Sequence, residues 1–111
     1  MHELGLCADI VGAVTRRAGD RPVARVTVRV GALHHVHPEA FAQSFALAAA
    51  GTSADGAVAE LVLVPMTMRC RACGSAAESV EPVVACPACG APEVDQRGGD
   101  ELVLESLEYR A

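Results

Sequence analysis

The chain has 111 residues, of which 51% are hydrophobic and 21% are charged. This is too apolar for a disordered protein and suits one compact unit or two very small ones. The net charge of −5 argues against a general nucleic-acid binder, which needs Lys and Arg to displace counterions from phosphate. The sequence shows no signal peptide and no apolar stretch long enough for a bilayer, so we expect a cytoplasmic protein without membrane contact and with reduced cysteines.

The first segment predicts an amphipathic helix from Glu3 to Ala18, because apolar residues recur there at helical spacing. Gly19-Asp20 and Pro22 end this helix. Its apolar face is expected to be formed by Leu4, Cys7, Val11, Val14 and Ala18, and to be widened by Leu6, Ile10 and Ala13. We interpret Cys7 as a small buried side chain rather than a metal ligand.

A strand, a second helix and a second strand follow. Valines alternate with polar residues over 25–30, the pattern of a half-buried strand. Pro38 suits the first turn of a helix, and Phe41 and Phe45 form the apolar stripe of this helix up to Gly51. Residues 57–64 then predict a strand.

The sequence from Met66 to about Asp95 holds four of the five cysteines and few large apolar residues, so it reads as a module inserted before a last strand over 101–109. We therefore predict an α+β fold: a small mixed three-stranded sheet with two helices, plus an inserted four-cysteine zinc-knuckle module. The predicted domains are residues 1–65 plus 99–111, and residues 66–98.

Two C-x-x-C pairs, each followed by glycine, are the strongest motif of the chain: Cys70, Cys73, Cys86 and Cys89. Two such knuckles facing each other give four sulfur ligands in a tetrahedron, the geometry of structural zinc. Redox C-x-x-C motifs normally occur singly at the start of a helix. Iron–sulfur ligation uses the same atoms, so spacing alone leaves it open.

The start of the chain is a candidate site for a second metal. Met1 is expected to be retained before a residue as large as His2, so the terminal amine, the His2 amide and the His2 imidazole follow one another. Such nitrogens can surround one ion in a plane, which suits Ni(II) or Cu(II) better than tetrahedral zinc. Glu3 adds a negative charge beside them.

Three of the four histidines stand just before the second helix, at His34, His35 and His37. His37 precedes Pro38, so it occupies the expected N-cap, where Asp, Ser, Thr or Asn would cap better. If the two helices pack with their N-termini together, His37 can complete the coordination around His2. The plain alternative is an exposed loop.

The sequence resembles the HypA/HybF family of hydrogenase-maturation proteins over nearly its whole length. The resemblance rests on the double cysteine knuckle together with the segments 1–4, 30–33, 38–41, 86–90 and 101–108. It implies a metallochaperone that works with the GTPase HypB to insert nickel into the large subunit of [NiFe]-hydrogenase. Some relatives also support urease.

For the site residues, the resemblance implies His2 as the nickel ligand, with Met1 and Glu3 as auxiliaries, and zinc at the four knuckle cysteines. The family often carries Asp or Glu at the place of His37. An imidazole there changes the donor set and makes nickel binding more sensitive to acid.

The alternative function is a zinc-ribbon protein-interaction module without nickel delivery. The sequence shows no nucleophile with a nearby base, no paired carboxylates in a plausible cleft and no phosphate-binding glycine loop, so we expect no enzyme. A monomer and a homodimer are both compatible with the sequence.

Overall fold

The computed structural model describes residues 2–111, so the candidate auxiliary ligand Met1 lies outside the described residues. The helices are α1 (His2–Ala18) and α2 (Pro38–Ala49). The strands are β1 (Val23–Gly31), β2 (Val58–Val64), β3 (Met66–Cys70), β4 (Ala76–Ser79), β5 (Val94–Arg97) and β6 (Leu102–Tyr109). No helix in the described range combines the length and apolarity needed to cross a membrane.

The strands form two three-stranded sheets, with the orders β2-β1-β6 and β4-β3-β5. The first sheet and the two helices confirm the predicted fold class, and the last strand joins the first two as expected. The second sheet was not predicted. Its outer strands have four residues each and contain Ala, Ser, Asp and Gln, which have weak strand propensity.

The chain divides into two units. The first unit contains the residues up to Arg29 together with Val36–Val62 and Val103–Ala111. The second unit contains Val30–His35 and Leu63–Leu102. The second unit therefore includes the four knuckle cysteines and the whole sheet β4-β3-β5.

Helix α1 buries one face in the first unit. The buried side chains of this helix are Leu6, Cys7, Ile10, Val11, Val14 and Ala18. The expectation for Leu4 was wrong, since this side chain is 37% exposed. The buried stripe is centred on Cys7 and Val14, and Leu4 lies at its border in the first turn.

Helix α2 packs against α1 in the first unit. Its Phe41 and Phe45 rings are buried and stacked, with centroids 6.4 Å apart. The Cys7 thiol of α1 lies 3.6 Å from the Phe41 carbonyl oxygen and donates to it. This contact joins the two helices at positions 7 and 41.

Two glycines touch in the second unit. A Cβ on Gly31 would lie 2.2 Å from the carbonyl carbon and oxygen of Gly99, closer than atoms can approach. The same backbone segments are joined by hydrogen bonds from Gly31 N to Glu101 O, 2.7 Å, and from Leu33 N to Gly99 O, 2.8 Å. Gly31 is therefore required by the close approach of two chain segments.

We expect Gly31→Ala to lower the free energy of unfolding by about 2 kcal/mol, because the new methyl group meets backbone rather than a flexible side chain. Chemical denaturation followed by circular dichroism measures this loss. The matched control is Gly5→Ala in α1, where the added Cβ meets nothing within 4 Å. It should raise stability by up to about 1 kcal/mol through helix propensity. Equal stabilities of the two variants would contradict the packing argument.

Candidate metal centres

Each C-x-x-C pair forms a tight turn, the first at the end of β3 and the second in the segment between β4 and β5. In the first turn, Gly74 N donates to Cys70 O at 3.0 Å, and in the second, Gly90 N donates to Cys86 O at 2.8 Å. The two glycines have φ of +79° and +77°, a left-handed conformation that side chains rarely adopt. The predicted role of glycine after each pair is confirmed.

The four sulfur atoms meet between the two turns. All lie within 4.8 Å of one another, and Cys70–Cys89 and Cys73–Cys86 are each 3.7 Å apart. These distances are too long for disulfide bonds, and all four cysteines are free. Sulfurs bound tetrahedrally at about 2.3 Å from one ion would be about 3.8 Å apart, close to what the structure has. We call these four residues the sulfur cage.

Backbone amides point at the first sulfur of each turn. Cys73 N donates to the Cys70 sulfur at 3.4 Å, and Ala88 N and Cys89 N donate to the Cys86 sulfur at 3.4 and 3.5 Å. An N–H group aimed at sulfur favours the thiolate, which is the form that binds a metal.

The two turns contribute in the same way to the burial of the cage. Cys70 and Cys86 are buried, whereas Cys73 and Cys89 are exposed. The buried pair packs with Met68. Around them lie the partly buried side chains of Ala77, Val83, Ala91 and Val94. One side of the cage therefore belongs to a small apolar core, and the other side faces solvent.

The two exposed cysteines of the sulfur cage differ in the pKa of their thiols. Hydrogen bonds from the Ser75 side chain and backbone lower the pKa of Cys73 to about 6. A hydrogen bond from the Ala91 backbone lowers the pKa of Cys89, but burial and the other three cysteines outweigh it and raise that pKa to about 12. A metal ion must therefore displace protons from the cage, and its affinity rises with pH. Ser75 was not identified from the sequence.

The N-terminal candidates belong to the first unit. His2 is the first residue of α1, and Glu3 follows in the first turn. His37 is the N-cap of α2, as predicted, and its side chain makes no capping hydrogen bond. Among residues 2–111 the sulfur cage is the one group of three or more His, Cys, Asp or Glu side chains close enough to hold an ion. The structure thus does not bring His2, Glu3 and His37 together as three side-chain ligands.

The other two histidines of the His-rich segment lie in the second unit. The His34 Nε2 is 3.0 Å from the carbonyl oxygen of Asp100. His35 has φ of 54° and ψ of 53°, a left-handed conformation at the end of the 3₁₀ turn Ala32–His34. The backbone of this segment is therefore fixed locally in an uncommon conformation.

Cys7 lies apart from the sulfur cage in sequence and belongs to the other unit. Its side chain has no exposed surface, as expected for a packed apolar residue. Burial, and secondarily the charge of Glu3, raise the pKa of its thiol to about 11. A thiol that stays protonated is a poor metal ligand.

Comparison with known proteins gives one consistent result. Residues 1–109 match the family model described as "Hydrogenase/urease nickel incorporation, metallochaperone, hypA". The chain is 40% identical to hydrogenase maturation factor HypA 2 of Bradyrhizobium diazoefficiens, over 97% of this chain and 98% of that protein. It is 37% identical to hydrogenase maturation factor HypA of Acidithiobacillus ferrooxidans, with the same coverage.

The fold also matches a solved structure. The solution structure of the Ni metallochaperone HypA from Helicobacter pylori aligns with a TM-score of 0.60 and 20% identity, covering 100% of this chain and 99% of that one. The match by sequence spans the helices, both sheets and the sulfur cage. The chain therefore belongs to the HypA family of metallochaperones for nickel incorporation into hydrogenase and urease.

Proposed function

We propose that this chain binds Ni(II) at its N-terminus and assists insertion of nickel into the large subunit of [NiFe]-hydrogenase, together with the GTPase HypB. The observation that carries this proposal is the match of residues 1–109 to the HypA family. The H. pylori protein of the same fold is described as a Ni metallochaperone, which agrees with it. We place the function in the cytoplasm, in a monomer or a homodimer that carries metal and has no catalytic activity.

His2 is the proposed nickel ligand, together with the terminal amine of Met1 and the backbone amide of His2. Helix α1 begins at His2, so this amide is among the first N–H groups of the helix, which have no intrahelical acceptor. Its deprotonation by a metal therefore breaks no hydrogen bond of the helix. Planar nitrogen donors suit Ni(II), and this arrangement needs one imidazole rather than a cluster of side chains.

Glu3 and His37 are the proposed auxiliaries of this site. The positive end of a helix dipole repels a cation, and the Glu3 carboxylate in the first turn offsets that repulsion. We infer that α1 and α2 run in the same direction, because the strand β1 lies between them in the chain and is joined to each by a short connection, at 19–22 and 32–37.

The contact between Cys7 and Phe41 then supports a shared end for the two histidines. His2 precedes Cys7 by about 7.5 Å of helix, and His37 precedes Phe41 by about 6 Å. The two imidazoles would accordingly start from the same end of the first unit, where His37 can add a donor to the nickel bound by His2.

The sulfur cage is the proposed site of a structural Zn²⁺. Its spacing of 3.7 Å between paired sulfurs fits the edge of a zinc–sulfur tetrahedron. Four protein ligands leave no open position for water or substrate, so the ion would act on stability rather than on chemistry. We propose that residues 66–98 form this zinc-binding module, and that residues 1–65 with 99–111 form the nickel-binding domain.

Replacing His2 tests the nickel proposal. His2→Ala should abolish stoichiometric nickel binding because it removes the imidazole around which the backbone donors close. Calorimetry on untagged protein measures the affinity, and elemental analysis should still find one zinc per chain. His34→Gln, which also removes an imidazole, should bind nickel as the parent protein does. Unchanged nickel affinity in His2→Ala would refute the assignment of His2 as the ligand. A parent protein that binds zinc but no nickel would favour the alternative zinc-ribbon interaction module.

Replacing one exposed cage cysteine tests the zinc proposal. Cys73→Ser should lose the zinc and unfold the second unit, since a hydroxyl is a far weaker ligand than a thiolate. Elemental analysis and ¹H–¹⁵N spectra of residues 63–102 measure both effects. Cys7→Ser is the matched control, because it removes a thiol outside the cage and should keep its zinc. Iron in place of zinc in the purified protein would overturn the assignment of the metal.

The cellular proposal is tested in a host whose own copy of this gene is deleted. The His2→Ala variant should leave the hydrogenase large subunit without nickel, whereas His34→Gln should restore its nickel content. Elemental analysis of the purified large subunit is the readout. Full nickel loading supported by His2→Ala would refute delivery through the N-terminus.

A further inference from the structure

The outer face of the sheet β4-β3-β5 carries an unusual set of charges. On the central strand β3, Met66, Met68 and Cys70 are buried, with exposures of 0%, 1% and 1%. Side chains alternate along a strand, so Thr67 and Arg69 lie on the opposite, solvent-exposed face. Although Arg69 adjoins Cys70 in sequence, it therefore points away from the buried side that holds the Cys70 sulfur.

The antiparallel register fixes the neighbours on this face. Thr67 lies between Glu78 of β4 and Arg97 of β5. Arg69 lies between Ala76 of β4 and Asp95 of β5. Arg69 and Arg97 are thus diagonal neighbours, at a separation that long side chains can bridge.

The short side chains of Thr67 and Ala76 leave a hollow beside the arginines. This groove has a volume of about 450 Å³. It is lined by Thr67, Met68, Arg69, Ala76, Asp95, Gln96 and Arg97. We call it the arginine groove. Its volume lies in the range of about 300–1,000 Å³ that is usual for pockets that bind small ligands.

The two arginines of the groove have no carboxylate of their own. Asp95 is paired with Arg71, whose Nε lies 3.5 Å from its Oδ1. Within residues 2–111, neither Arg69 nor Arg97 forms an ion pair. Two like charges at diagonal positions repel each other unless an anion lies between them.

We propose that the arginine groove docks an acidic segment of a protein partner, with the carboxylates bound by Arg69 and Arg97. A guanidinium offers a planar fork of N–H groups that matches a carboxylate. The chain carries a net charge of −5, so a site for an acidic partner must be local, and this groove provides one.

A nucleic acid fits the groove less well. The three aromatic residues of the chain are Phe41, Phe45 and Tyr109, so no base-stacking side chain lies in residues 63–102. This stretch also contains no helix, whose N-terminus could bind phosphate. The proposal rests on this surface alone and is independent of the nickel chemistry.

The test is a titration of the full-length, zinc-loaded, ¹⁵N-labelled protein with acetyl-hexaglutamate amide. The peptide should shift the amide signals of residues 67–69, 76–78 and 95–97, and the affinity should fall as salt is added. Arg69→Gln and Arg97→Gln should each weaken binding by about fivefold, as expected for exposed ion pairs. Arg17→Gln, the same charge change on the exposed side of α1, should leave the affinity unchanged.

Three further titrations make the proposal refutable. Acetyl-hexaglutamine amide should not shift these signals, and inorganic phosphate should bind more weakly than the acidic peptide. Binding that is equal for the glutamine peptide, or unaffected by both groove substitutions, would overturn the proposal. Tighter binding of single-stranded DNA at the same residues would identify the groove as a nucleic-acid site instead. The spectrum of each variant, compared with that of the parent before titration, shows that its fold is kept.

Discussion

The convergence of four sulfur atoms is the constraint on which the second unit depends. Its sheet has two outer strands of four residues, and its buried cluster around the cage contains one methionine and two cysteines. A core of this size contributes little burial, so small domains of this kind rely on a metal or disulfides. The paired sulfurs are 3.7 Å apart and unbonded. Four thiolates at that distance would repel one another, and the attraction of a divalent cation bound among them would outweigh that repulsion and stabilise the unit.

The proposed nickel site follows the opposite physical logic. A cage that supplies all four ligands leaves no open coordination position at which a partner's ligand could begin to replace them. A carried ion must be released, which favours donors at the end of a chain. Helix α1 provides a firm base for such donors, because Cys7, Ile10 and Val14 anchor it in the core while His2 lies at its first turn. The family's task of nickel incorporation is compatible with a chain that has one closed site and one terminal site.

Local patterns carried most of what the sequence predicted. The spacing of the four cage cysteines predicted the two turns, since two cysteines three residues apart with a following glycine are typical of a zinc knuckle. Pro38 predicted the start of α2, and the alternating valines predicted β1. Features made by residues distant in sequence were not predictable. Three such features depend on how distant segments pack together. They are the contact of Gly31 with Gly99, the register of β3 with β4 and β5, and the different thiol pKa values of Cys73 and Cys89.

The pairing of charged side chains is another feature that depends on residues distant in sequence, and it bears on recognition. All nine cationic side chains are arginines. In the first unit, Arg25 and Arg29 are paired with Glu60, Glu105 and Glu108 across the strands. Their charges are neutralised within the fold. In the second unit, the pairing of Arg71 with Asp95 leaves Arg69 and Arg97 without a carboxylate. Screening limits the reach of each charge to about 8–10 Å, so a small basic site can orient an acidic partner even though the chain as a whole is acidic.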